Sequence, residues 1–95
     1  MDTEEKIKLL IDHYGKEKQK DIAIEEMTEL IKELIKERRY ADNKPRILFE
    51  LADDVLMLYQ LIKIYEFDGE EIQKIIDYKI DRQIARMSND DRSTN

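Results

Sequence analysis

The chain has no cysteine, no tryptophan, one histidine, one proline and two glycines in 95 residues. Without cysteine there is no disulfide framework, thiolate metal site or thiol nucleophile, an inventory suited to a reducing compartment. The single histidine, His13, has Leu10 three residues before it, so the paired Glu-x-x-His motifs of a carboxylate-bridged di-iron bundle are excluded. No apolar run approaches the length of a membrane span, and MDTEEKIKLL lacks the charged-then-apolar layout of a secretory leader. A cytoplasmic protein without membrane contact is therefore expected. A net charge of −6 argues against a nucleic-acid polymer as partner, because its phosphates would be repelled. It leaves open a nucleotide whose phosphates arrive with a divalent cation.

What is present is mostly Glu, Lys, Leu and Ile, and it reads as helix. A first helix is expected from about Thr3 to Tyr14, with Asp2 or Thr3 as N-cap and Gly15 as stop. A second runs from about Glu17 to Arg38. A third starts at Pro45, apt for a first helical position, and ends at Phe67 before a break at Gly69. A fourth runs from about Glu70 to Met87 on the stripe Ile72, Ile75, Ile76, Ile80 and Ile84. The expected fold is all-α, an antiparallel four-helix bundle in one domain over residues 1–87. The tail SNDDRSTN, 88–95, has nothing to bury and is expected to be disordered.

Two acid pairs share one spacing. Glu26 and Glu29 lie on the second helix and Glu50 and Asp53 on the third, so each pair projects from one helix face about a turn apart. Four hard oxygen donors on neighbouring helices suit Mg²⁺, which commonly binds together with substrate phosphates. On the second helix, Ile24, Met27, Leu30, Ile31 and Leu34 make the apolar face expected to pack. Glu26 lies beside that face, Glu29 and Glu33 further round, and Glu25 opposite. Read alone, this is an ordinary amphipathic helix with a solvated acidic face. The third helix is different. From Ile47 to Tyr65 the only polar side chains besides tyrosines are Glu50, Asp53, Asp54, Gln60 and Lys63. Carboxylates embedded in such a segment need a partner, and lie too far along for the helix dipole to be the reason. A helix apolar nearly all round must also be surrounded, and three short helices cannot cover it. A homodimer or homotetramer joined through the second and third helices is expected.

Glu25, Glu26 and Glu29 as E-E-x-x-E, followed by Glu50 and Asp53 as E-x-x-D, resemble the MazG-like all-α nucleoside triphosphate pyrophosphohydrolases over roughly Lys16 to Met87. The resemblance implies a helical bundle assembling as dimers or tetramers. It implies Mg²⁺, with Mn²⁺ able to substitute, and cleavage of an NTP or dNTP between the α and β phosphates to NMP and pyrophosphate. Carried over by position, Glu26, Glu29, Glu50 and Asp53 are the metal ligands, and Glu25 orients or activates water. Lys79 and Arg82 on the fourth helix, with Arg86 behind them, correspond to phosphate-binding cations; a solvated basic stripe is the competing reading. Gln19, just upstream of the motif, corresponds to a nucleotide-binding position, and an ordinary exposed glutamine is the alternative. Tyr14, Tyr40, Tyr59, Tyr65 and Tyr78 include candidates for stacking on a base, although most are expected in core or interface. A helical interaction module of the antitoxin or adaptor kind remains the alternative to an enzyme. So does a protein that binds nucleotides without hydrolysing them.

Overall fold

The computed structural model describes residues 1–39 and 42–93, with side chains as far as residue 89. Tyr40 and the last two tail residues lie outside the described residues. Four helices and no strand are present among the described residues: α1 Thr3–Tyr14, α2 Lys16–Arg39, α3 Lys44–Ile64 and α4 Gly69–Ser93.

Local chemistry fixes most of the boundaries. Asp2 caps α1 by accepting a 2.8 Å hydrogen bond from the Glu5 amide. Gly15 ends it at φ 93°, a backbone conformation natural to glycine, and its N–H donates to the Ile11 carbonyl at 2.8 Å. α2 starts at once, since the Gly15 carbonyl accepts from Gln19 N. Pro45 stands in the first turn of α3 as expected. Asn43, before α3, turns its amide to α2 instead of capping its own helix, donating to the Glu33 carbonyl at 2.8 Å and carboxylate at 2.9 Å.

α3 ends at Ile64, three residues before the expected Phe67. Glu66 adopts φ 57°, its N–H donates to the Lys63 carbonyl, and Phe67 N donates to the Ile62 carbonyl. These two bonds form a Schellman cap around a left-handed residue that is not glycine. The expected break at Gly69 is corrected as well. Asp68 caps α4 by accepting from Glu70 N at 3.0 Å, and Gly69 is already helical. α4 then passes the expected end at Met87 and reaches Ser93, because the polar segment after Met87 contains neither Gly nor Pro to stop it.

The packing departs from an antiparallel four-helix bundle. α2 and α3 pair along their length in opposite directions, Gln19 meeting Gln60 at one end and Glu33 meeting Asn43 at the other. α1 lies across both, and Ile7, Ile11 and Ile64 form a small apolar core. α4 packs along none of the three. The radius of gyration is 17.6 Å, against about 12 Å for a compact chain of this length. The arrangement is extended.

The expected packing face of α2 is corrected in part: Met27 and Leu30 are half-buried, and Leu34 is exposed. Ile24 and Ile31 are 67% and 57% exposed, while Gln19, Ala23 and Glu33 are buried. On α3 the buried positions are Asp54, Met57, Gln60 and Ile64. The α2–α3 seam therefore buries Gln19, Glu33, Asp54 and Gln60 beside Ala23 and Met57, while Ile24, Ile31 and Leu34 of α2 and Leu48, Leu51 and Leu58 of α3 are exposed.

Candidate metal centre

Glu26 in the middle of α2 and Glu50 and Asp53 in the first half of α3 meet across this seam. Each offers one carboxylate oxygen, and the three oxygens lie within 4.8 Å of one another. All three residues are half-buried. The i, i+3 spacing of Glu50 and Asp53 puts both on the α3 face that α2 covers, and the antiparallel pairing sets Glu26 opposite them.

The cluster is electrostatically strained without a cation. Burial raises the Glu26 carboxyl above its ordinary pKa, and the charges of Asp53 and Glu50 and a hydrogen bond with Asp53 raise it further. Glu50 is raised by burial, then by Asp53, Glu29, Glu33 and Asp54. Asp54, 6% exposed, is raised by burial and by Asp53. Glu50 Oε2 and Asp54 Oδ1 are buried without a hydrogen-bond partner. A hard cation is one group that would satisfy oxygens so placed. The donor set fits Mg²⁺ or Mn²⁺ in type, being all oxygen.

The other candidates are distributed around this centre. Glu29 is half-buried and pairs with Lys32 at 3.3 Å, outside the close trio, although its charge still acts on Glu50. Glu25 is exposed. Gln19 is not an exposed glutamine: it is 4% exposed and donates its amide to Gln60 Oε1 at 2.7 Å. Its own Oε1 is buried without a hydrogen-bond partner. Lys79 and Arg82 are exposed on α4, a helix that does not pack along the seam. His13 is exposed near the end of α1, its ring edge-on to Tyr14.

Three neighbours were not among the site candidates read from the sequence: Glu33, Arg46 and Phe49. Glu33 is buried and its carboxyl is held below the ordinary range, chiefly by the hydrogen bond from Asn43 and further by Lys36 and Arg46. Arg46 and Phe49 line a shallow pocket of about 420 Å³ with Glu33, Pro45 and Glu50. The available signal was Arg46 four residues before Glu50, one turn away on the same face. A larger groove of about 750 Å³ lies further along α3, lined by Ile7, Tyr59, Ile62 and Phe67 among others, and contains none of the three clustered acids.

No protein-family model, curated protein or solved structure matches this chain. No helix among the described residues is long and apolar enough to cross a membrane.

Proposed function

We propose that the protein is a divalent-metal-dependent pyrophosphohydrolase that converts an NTP or dNTP to NMP and pyrophosphate. The observation that carries this reading is the convergence of Glu26, Glu50 and Asp53 from two helices, their oxygens within 4.8 Å, with a buried Glu50 oxygen lacking any protein partner. Glu26, Glu50 and Asp53 would hold Mg²⁺ or Mn²⁺, with Glu29 able to join if it releases Lys32. Such an ion neutralises phosphate oxygens and lowers the pKa of bound water.

The chain's own side chains supply the rest. Glu25, exposed on α2, would orient water or accept its proton in this reading. Arg46, which lines the shallow pocket with Glu50, offers a guanidinium suited to a phosphate, and the exposed Phe49 ring offers a face for a base. Lys79 and Arg82 enter this reading only if α4 reaches the seam from another subunit. Serine, cysteine and histidine nucleophiles are not required.

A second reading, a helical interaction module, draws on the large exposed apolar surface of α2, α3 and α4. One experiment separates the two. The purified protein is incubated with a panel of NTPs and dNTPs plus Mg²⁺, and products are resolved by ion exchange. NMP with pyrophosphate is expected. NDP with orthophosphate, or no product from any nucleotide, would sink the pyrophosphohydrolase reading.

A further inference from the structure

Glu33 buries a charge that the helix pairing does not need. The residue is 8% exposed, and its Oε2 accepts from the Asn43 amide at 2.9 Å. An uncharged glutamine would accept that bond without the cost of burying a carboxylate. Lys36 reaches Oε1 at 3.4 Å from a half-exposed position, and Arg46 adds its charge, so the carboxyl stays ionised. A carboxylate has about four acceptor positions shared between its oxygens. Asn43 takes one on Oε2 and Lys36 one on Oε1, which leaves a free position on each oxygen.

Glu33 lines the shallow pocket together with Arg46, Phe49 and Glu50. The carboxylate thus borders the same cavity as the exposed Phe49 ring and one member of the acidic trio. Glu33 follows Glu26 by seven residues, two turns along one face of α2, or about 10 Å at the helical rise. A nucleotide measured from its phosphates to the far edge of its base has a similar length. With phosphates at a cation held by Glu26, Glu50 and Asp53, the base edge reaches as far as Glu33.

We infer that this pocket selects guanine nucleotides, with Glu33 accepting hydrogen bonds from the guanine N1–H and N2–H₂. Guanine presents two adjacent donors on one edge. Adenine and cytosine each set an amino donor beside a ring-nitrogen acceptor, and uracil or thymine sets one N–H between two carbonyls. An ionised carboxylate has acceptors only, so each of those edges would face it with at least one opposed lone pair. A site built to pair polar groups rejects a base that leaves them opposed. Phe49 can stack on any base and adds affinity without discrimination. The inference rests on the reading that a nucleotide occupies this site. It does not require that the nucleotide be cleaved, and it applies to ribose and deoxyribose alike.

Binding separates this inference from the enzymatic one. The full chain with Mg²⁺ is titrated calorimetrically with α,β-methylene analogues of GTP, ITP, ATP, CTP and UTP, whose bridging carbon blocks cleavage between the α and β phosphates. The guanine analogue is expected to bind about tenfold more tightly than each of the others, or better. Inosine gives the sharpest comparison, since its base differs from guanine only in lacking the N2 amino group. Glu33→Gln keeps an acceptor for Asn43 but sets an amide donor in the pocket, and should bring the guanine-to-hypoxanthine affinity ratio to about one. Damage to the fold would lower every analogue together, so the ratio reports base recognition and not stability. Phe49→Ala should weaken all analogues and leave the ratio in place. Guanine preference in a protein that hydrolyses no nucleotide would uphold the inference and remove the pyrophosphohydrolase reading. Preference for another base, equal affinity for all, a ratio unchanged by Glu33→Gln, or no binding of any analogue would overturn the inference. The first three of these would leave hydrolysis untouched.

Discussion

Gln19 on α2 donates its side-chain amide to Gln60 on α3 across 2.7 Å, and the two residues are 4% and 2% exposed. The bond joins positions 41 residues apart at a place where an apolar pair would be the ordinary choice. Gln60 spends its own amide on the Met57 sulfur at 3.6 Å, and Gln19 Oε1 has no hydrogen-bond partner. The pair therefore gives direction to the helix contact at a cost in desolvation.

Replacing one glutamine should hurt more than replacing both. Gln19→Leu strands the Gln60 oxygen and should cost about 1–3 kcal/mol, lowering Tm by about 4–8 °C per kcal/mol. Gln19→Leu/Gln60→Leu removes both desolvated amides and should recover most of that loss. A thermal-denaturation double-mutant cycle measures the coupling; additive losses would show that the bond contributes nothing.

Mg²⁺ should raise Tm of the wild type by preferential binding to the folded state, by about 2.7 kcal/mol of stability at a hundredfold excess over Kd. Glu50→Ala and Asp53→Ala should lose the response, because each removes one of the three convergent oxygens. Glu29→Ala should keep part of it, since Glu29 stands outside the trio against Lys32. Equal responses in all four proteins would remove the proposed centre.

The metal-free protein should grow more stable as pH falls from neutrality toward about 5, just above the ordinary carboxylate range. Folded Glu26, Glu50 and Asp54 have raised pKa values, so the folded state binds more protons than the unfolded state between the ordinary and raised values. Stability then declines as pH rises through that interval. Glu33 has the opposite sign, but its pKa is lowered, so its stabilising contribution is lost only at more acid pH. Tm measured against pH in EDTA checks this, and Mg²⁺ should flatten the slope. A Tm that rises with pH over the interval would contradict it.

Glu66→Gly should stabilise the protein. A non-glycine residue at φ 57° carries a left-handed penalty of about 1–2 kcal/mol, partly offset by the extra freedom glycine brings to the unfolded chain, about 0.5–1 kcal/mol. A Tm gain of a few degrees is expected, with Glu66→Val moving it the other way. Unchanged melting in both variants would show that the Schellman cap contributes little.

The helices were legible in the sequence because their signals are local. Asp2, Gly15 and Pro45 each act within a few residues of themselves, and each does what its residue type suggests. The meeting of Glu26 with Glu50 and Asp53 was legible through matched spacing. The packing face of α2 was not. A helical wheel assigns the apolar side inward, yet Gln19 and Glu33 are buried along with Ala23, the two polar side chains hydrogen-bonded to Gln60 and Asn43, residues outside α2. The α3 end was misplaced for a related reason: Glu66 adopts a left-handed conformation that its residue type does not announce, and the bond from Phe67 N to Ile62 makes the turn. Arg46 was overlooked because its relevance depends on the pocket beside Glu50, which exists only once α2 and α3 are paired.

An elbow whose two caps adjoin leaves no slack between α3 and α4, and so turns α4 into a lever. Its 25 residues extend about 37 Å at the helical rise. A rotation of about 10° at Glu66–Asp68 would sweep the far end through about 6 Å over that length. Phe67, at the pivot, lines the groove beside Ile7 and Tyr59. A small displacement at this pivot would thereby be magnified along α4 into a movement the size of a side chain.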